Sequence, residues 1–160
     1  MAEKYIISYE NAEVRNFLKG SMHFWGISQD VGWGCTNHWA DVMLVQYMLS
    51  AAWFEAGLTC DGIFGPKTAA AIKSWQKAYG PALKADGKID AVNGSNLRSS
   101  VSKTIYTMLA LNEEFVKYMS TKYDNIKTDP KLPPELRSEL TIRGGSGGSL
   151  KYRGVQTMVN

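Results

Sequence analysis

The chain has 160 residues, 44% of them hydrophobic and 21% charged, which is the make-up of a globular protein able to build a core without staples. Its net charge of +3 comes from scattered Lys and Arg, not from the clustered basic stripe that nucleic-acid binding calls for, so no nucleic-acid partner is expected. No run approaches the roughly 18 to 20 apolar residues of a membrane span, and "MAEKYIISYENAEVRNF" has charges where a secretory leader needs unbroken apolar sequence, so synthesis in the cytoplasm without a signal peptide is expected.

In chain order, "KYIISY" reads as a short strand and "VRNFLKG" as one or two helical turns ending at Gly20. "HFWGISQDVGWGCTNHW" is rich in glycine and aromatics and reads as a packed loop. From His38 the spacing changes: Val42, Val45, Leu49, Ala52 and Trp53 recur at intervals of three and four, which predicts a helix with Asn37 as N-cap and Gly57 after its end. Met43, Leu44, Tyr47, Met48 and Phe54 widen its apolar surface, so that helix should be mostly buried.

"CDGIFGPKTAAAIKSWQKAYG" then packs a turn, a helix start and an amphipathic helix into one stretch. Asp61-Gly62 is a turn pair; Gly65 at the N-cap and Pro66 at the first helical position begin a helix, because the missing proline N–H has no intrahelical partner to lose there. Ile72, Trp75, Gln76 and Tyr79 recur at helical spacing until Gly80-Pro81 stops it. The pattern then partly repeats in "ADGKIDAVNGSNL", with Asp86-Gly87 in place of Asp61-Gly62 and Ile89 in place of Phe64. Leu97, Val101, Ile105, Met108, Leu111, Phe115, Val116 and Met119 predict further helix, the longest over about 102–123. The tail, with Pro130, Pro133, Pro134 and "GGSGGS", has the composition of an extended arm. The two cysteines, Cys35 and Cys60, either pair or serve as small buried hydrophobes.

Val45-Gln46, Gly57, Asp61-Gly62, Phe64-Gly65, Thr68, Ala71-Ile72, Trp75-Gln76, Asp86-Gly87 and Leu97 follow one another in an order and spacing that resembles the peptidoglycan-binding-like family, a three-helix module often appended to cell-wall hydrolases. The second turn departs from the family pattern: Asp90 and Asn93 stand where a glycine and a threonine are usual, so the third helix should begin with different capping. The resemblance implies a small three-helix peptidoglycan-binding-like bundle, and with the elements read above the expected fold is mainly α: that bundle plus a long C-terminal helix, with extended N- and C-terminal arms. The corresponding division is 1–38 as arm and packed loop, 39–100 as the module, 101–124 as helical extension and 125–160 as tail. It also implies a shallow cleft between the first helix and the Asp-Gly loop, for which Gln46, Asp61, Phe64, Lys67, Trp75 and Gln76 are the candidate ligand-binding residues. Most of them also have a purely structural reading: Asp61 shapes the turn, while Phe64 and Trp75 plug the core.

Catalytic alternatives are thinly supported. Cys35 with His23 or His38 is a conceivable dyad, but only about 38 residues precede the module, too few for the sheet that usually holds one. Cys35, His38, His23 and Cys60 have no spacing that makes them converge on a metal. Glu10, Glu13 and Asp30 are available as carboxylates, but the Glu-Gly-Gly of the phage lysozymes that carry a wall-binding motif does not occur, and Glu113-Glu114 reads as a solvated helix face. The expectation is therefore no catalytic residues, no metal and no cofactor. The partners expected are peptidoglycan and, through the arms, other subunits of a larger assembly such as a phage particle or injection device. A small endolysin-like muramidase or amidase, and a purely structural use of the fold, stand as the alternatives.

Overall fold

In the computed structural model, the structure describes residues 2–7, 11–53, 58–119, 123 and 126–140, with main chain alone at 2–6, 52, 53 and 127. Among these residues the elements run β1 (Ala2–Ile6), α1 (Ala12–Phe17), β2 (His23–Ile27), α2 (Trp39–Trp53), α3 (Pro66–Tyr79), α4 (Thr107–Tyr118), a 3-10 turn (Ile126–Thr128) and α5 (Pro134–Glu139). The fold is mainly α, as expected.

Helix α2 is the hub. It packs against α3, α4, α5 and both strands, and every side chain from Ala40 to Leu49 is buried. It has no polar face because it is surrounded; burial of this kind supplies the main driving force for folding, roughly 25 cal/mol per Å2 of apolar surface. Its start differs from expectation. Asn37 adopts φ +53 and turns its amide back into the preceding loop, and the first turn is instead held by His38, whose Nδ1 accepts from Ala40 N at 3.3 Å and whose carbonyl accepts from Val42 N. Gly57, expected to end the helix, and Phe54 lie outside the described residues.

β1 and β2 pair antiparallel in the register Ala2–Ile27 to Ile6–His23. The segment "HFWGI", which reads as packed loop in the sequence, is strand β2. All five of its residues are buried, so the alternation that marks a half-exposed strand is missing. Asn112 of α4 serves the backbone of Trp25: its Oδ1 accepts from Trp25 N at 2.8 Å and its Nδ2 donates to Trp25 O at 2.9 Å.

Helix α4 begins at Thr107, later than the expected start near 102, because residues 98–105 form a turn closed by Arg98 and Ile105 and by Ser99. The C-terminal stretch also differs from an extended arm up to Leu140. Leu132, Leu136 and Leu140 are buried, and Tyr47 of α2 donates a short buried hydrogen bond to Asp129 Oδ2. The leucine spacing of four is helical and outweighs the prolines, which stand just before and at the first position of α5, where proline is tolerated. The GGSGGS run lies outside the described residues. Both cysteines are free and half-buried, so they do not pair, and only Cys60 packs against the core.

Candidate functional site

The corner between α2 and α3 is built by one side chain. Gln46 projects from α2 and is buried; its Oε1 accepts from Gly62 N at 2.9 Å, and its Nε2 lies within hydrogen-bond reach of Asp61 Oδ1, Ile63 O and Thr68 Oγ1 at 3.0–3.2 Å. Gly62 sits at φ +75, a left-handed conformation that strains residues with a Cβ, and an added Cβ would lie 3.0 Å from the Trp39 carbonyl oxygen. Asp61 Oδ1 also accepts from Ile63 N, the Asx arrangement that makes Asp-Gly a turn. Gly65, in extended backbone, and Pro66 then start α3 as the sequence predicts.

The same device recurs one helix later. Gln76 of α3 is buried; its Oε1 accepts from Gly87 N at 2.8 Å, and its Nε2 donates to Lys88 O and Thr107 Oγ1, both at 3.0 Å. Asp86 Oδ1 accepts from Lys88 N, as Asp61 does from Ile63, and Gly87 again has φ +75. Here Thr107, in the first turn of α4, stands where Thr68 stands in the first turn of α3. The departure noted at Asp90 and Asn93 is therefore an insertion between turn and helix, after which the threonine partner is recovered at Thr107.

At the first corner an open groove of roughly 500 Å3 runs along Leu58, Thr59, Asp61, Ile63, Pro66, Lys67 and Thr68, with Gln46 at its floor. Asp61 and Lys67 are exposed on it, opposite charges on one small surface. At the second corner the insertion covers the molecule. Leu97 and Ile105 enter the core, Asn11 Nδ2 donates to the carbonyl oxygens of Gly94 and Ser95, and Arg98 pairs with Glu13 of α1 at 3.1 Å.

Of the six candidate residues, the structure brings Gln46, Asp61 and Lys67 together at the groove. Phe64 is half-buried beside it, edge-on to Trp33 with ring centroids 5.0 Å apart. Trp75 is buried against Tyr79, and Gln76 is clamped inside the second corner, so these two hold the bundle together and do not face the groove. Leu58 and Ile63 escape a reading based on polar and aromatic chemistry, and the Thr59 hydroxyl stands outside the spaced pattern; Thr68 is part of that pattern but is not among the six.

Of the residues weighed for catalysis, Glu10 lies outside the described residues, and His38 Nδ1 accepts from Ala40 N at the start of α2. The Cys35 thiol contacts the Trp33 carbonyl at 3.9 Å, and burial, with Asp30 adding to it, pushes that thiol above its ordinary value, away from the reactive thiolate. The Cys60 thiol is also pushed up by burial, against the pull of Ser50. His23 is stacked on Tyr123 in another part of the fold, and Glu113 pairs with Lys19 at 3.2 Å. Burial, with Glu113 beside it, raises Glu114. Asp41 is buried near the start of α2 and pushed up by burial, while its bonds from Ser28 N and Gln29 N act in the opposite direction. Among the described residues no group of three or more His, Cys, Asp or Glu is placed to hold a metal ion, and no helix is long and apolar enough to cross a membrane.

Residues 40–92 match the family described as "Putative peptidoglycan binding domain", the family that the sequence pattern resembles. It contains both Asp-Gly turns, both glutamines and the open groove, and it ends inside the insertion before Thr107. No curated protein and no solved structure matches the chain.

Proposed function

We propose that the chain is a non-catalytic cell-wall-binding protein that seats peptidoglycan in the groove beside Asp61 and Lys67. The observation that carries this reading is the open groove at the first corner, lying within the segment that matches a wall-binding family. Stem peptides of the wall offer carboxylates and amides, and the groove offers an exposed ammonium, an exposed carboxylate and the Thr59 hydroxyl beside the apolar Leu58 and Pro66. A binding role is favoured over a cysteine-based amidase because the Cys35 thiol contacts a backbone carbonyl and is pushed up by burial, away from the thiolate such a nucleophile needs. We place the protein in a phage particle or injection-type assembly, docked to other subunits; the support is the Gly-Ser-rich C-terminal stretch beyond α5, whose composition suits an arm.

Sedimentation with purified sacculi tests the binding. The full chain should pellet with them in proportion to wall added, and Lys67→Glu should lower the bound fraction severalfold; a wild-type chain left in the supernatant like a control protein would refute wall recognition. Turbidity loss in the same suspensions would establish the hydrolase in its place. Mass spectrometry of purified particles tests the assembly.

A further inference from the structure

Two tryptophans outside the Asp61–Thr68 groove stand in solvent next to its corner. Trp33 is 58% exposed, Trp39 is 41% exposed, and Ile63 at the tip of the turn is 68% exposed. Scattered apolar side chains on a surface are ordinary, but these converge on one place. Trp33 reaches the corner through its edge-on contact with Phe64, and Trp39 through Gly62, where a glycine Cβ would lie 3.4 Å from the Trp39 Cβ. His38 stacks on Trp39 with ring centroids 5.9 Å apart.

The loop that carries Trp33 is firmly constructed. Val31 and Ile89 exchange backbone hydrogen bonds of 3.0 and 2.8 Å at its base. Asn37 Oδ1 accepts from Gly32 N at 2.8 Å, and its Nδ2 donates to Gly32 O at 2.9 Å and lies 3.2 Å from Cys35 O. Asn37 itself is left-handed at φ +53 and Gly34 at φ +78. All these ties fix the loop's backbone, and none of them buries the indole it displays.

We propose that Trp33 and Trp39, both reaching the Gly62–Phe64 turn, form with Ile63 at its tip a saccharide platform that takes the amino-sugar rings of a glycan strand while its peptide branch enters the groove. This deepens, and rests on, the cell-wall reading above. The C–H face of a pyranose ring carries partial positive charge and meets the negative face of an indole. Three partly exposed side chains offer on the order of a few hundred Å2, well short of the roughly 1,000 Å2 that a specific protein interface needs but enough for two or three sugar rings. Charge agrees with this occupant: the platform is neutral like the sugar backbone, while Lys67 on the adjoining groove meets the carboxylates that branch from it.

The test titrates the full chain with chitotetraose, a neutral β-1,4-linked N-acetylglucosamine tetramer, and with wall glycan strands freed of peptide, following tryptophan fluorescence and its quenching by acrylamide. Bound sugar should protect a fraction of the tryptophan emission from quenching. Trp33→Ala and Trp39→Ala should each weaken binding of the glycan strands about tenfold, with Tyr at either position intermediate, while Val101→Ser, at a position 91% exposed, should bind as the wild type does. Unchanged binding by both alanine variants, or wild-type protein that pellets with intact sacculi yet neither binds nor is protected by peptide-free glycan, overturns the platform and leaves the wall reading standing. Failure to bind sacculi, glycan and tetramer alike overturns both. Should an alanine variant fold poorly by circular dichroism, the quenching protection of the wild type decides alone.

Discussion

The two Asp-Gly corners share one clamp and differ in the length of chain between the turn and the next helix. At each, a buried glutamine accepts from the glycine N–H and donates to a threonine at the start of that helix. At the first, Gly65-Pro66 begins the helix at once and leaves a groove; at the second, residues 90–106 intervene and pack over the fold. The clamp is therefore a folding device and the groove is a consequence of loop length. Glutamine suits the first task because one amide supplies both an acceptor and two donors, enough to satisfy a turn's backbone away from water.

Removing the clamp is the most severe way to test that equivalence. Gln46→Ala and Gln76→Ala should each cost about 3 kcal/mol in urea unfolding, since each leaves a buried glycine N–H without its acceptor. A Gln76→Ala cost below about 1 kcal/mol would break the comparison. The glycines should separate the corners. Both adopt φ +75, but only at Gly62 would a Cβ press on backbone, with the nearest atom at 3.0 Å against 3.9 Å at Gly87. Gly62→Ala should cost about 2 kcal/mol or more, and Gly87→Ala about 1, as read from thermal midpoints.

The threonines sharpen the comparison at smaller scale: Thr68→Val and Thr107→Val should cost about 1 kcal/mol each, and in double-mutant cycles each should couple only to its own glutamine. Alkaline pH probes a phenol on each of the two helices that carry the clamps. Tyr47 is held above its ordinary 10.0 by burial and by Asp129, and Tyr79 by burial and Glu113. A raised folded pKa means stability that is present below pH 10 and lost as pH climbs above it, by at most about 1 kcal/mol per phenol at pH 11 once solvent screening is discounted. Tyr47→Phe and Tyr79→Phe should each flatten part of that loss. Smallest of all, Lys67→Glu should change stability by no more than about 0.5 kcal/mol while lowering wall binding, because Lys67 is exposed.

Legibility in the sequence tracks chemistry that is local. The span of α3 can be read almost to the residue, because Gly65, Pro66 and Gly80 act through their own backbone. Helix α2 announces itself by apolar density. Strand β2 does not, since a strand buried on both faces loses its alternation. The glutamines stand out as unusual, but an amide in an apolar helix has the same chemistry whether it turns outward to a ligand or inward to a turn; its repetition upstream of both Asp-Gly pairs is the clue to the inward role. Thr107 is hidden by the insertion, and Trp33 by a loop whose shape depends on Asn37 contacts that spacing does not disclose. Leu132, Leu136 and Leu140 are legible by spacing but stand among prolines that argue for an arm.

The bond from Tyr47 to Asp129 has a practical consequence for anyone wishing to transplant this module. It ties the central helix to a segment far downstream, and the same helix leans on α4, α5 and both strands, all of which lie outside the family's span. A fusion partner given residues 40–92 alone would inherit the groove together with a raw greasy flank, so the part that recognises and the part that stays soluble cannot be cut along the same line.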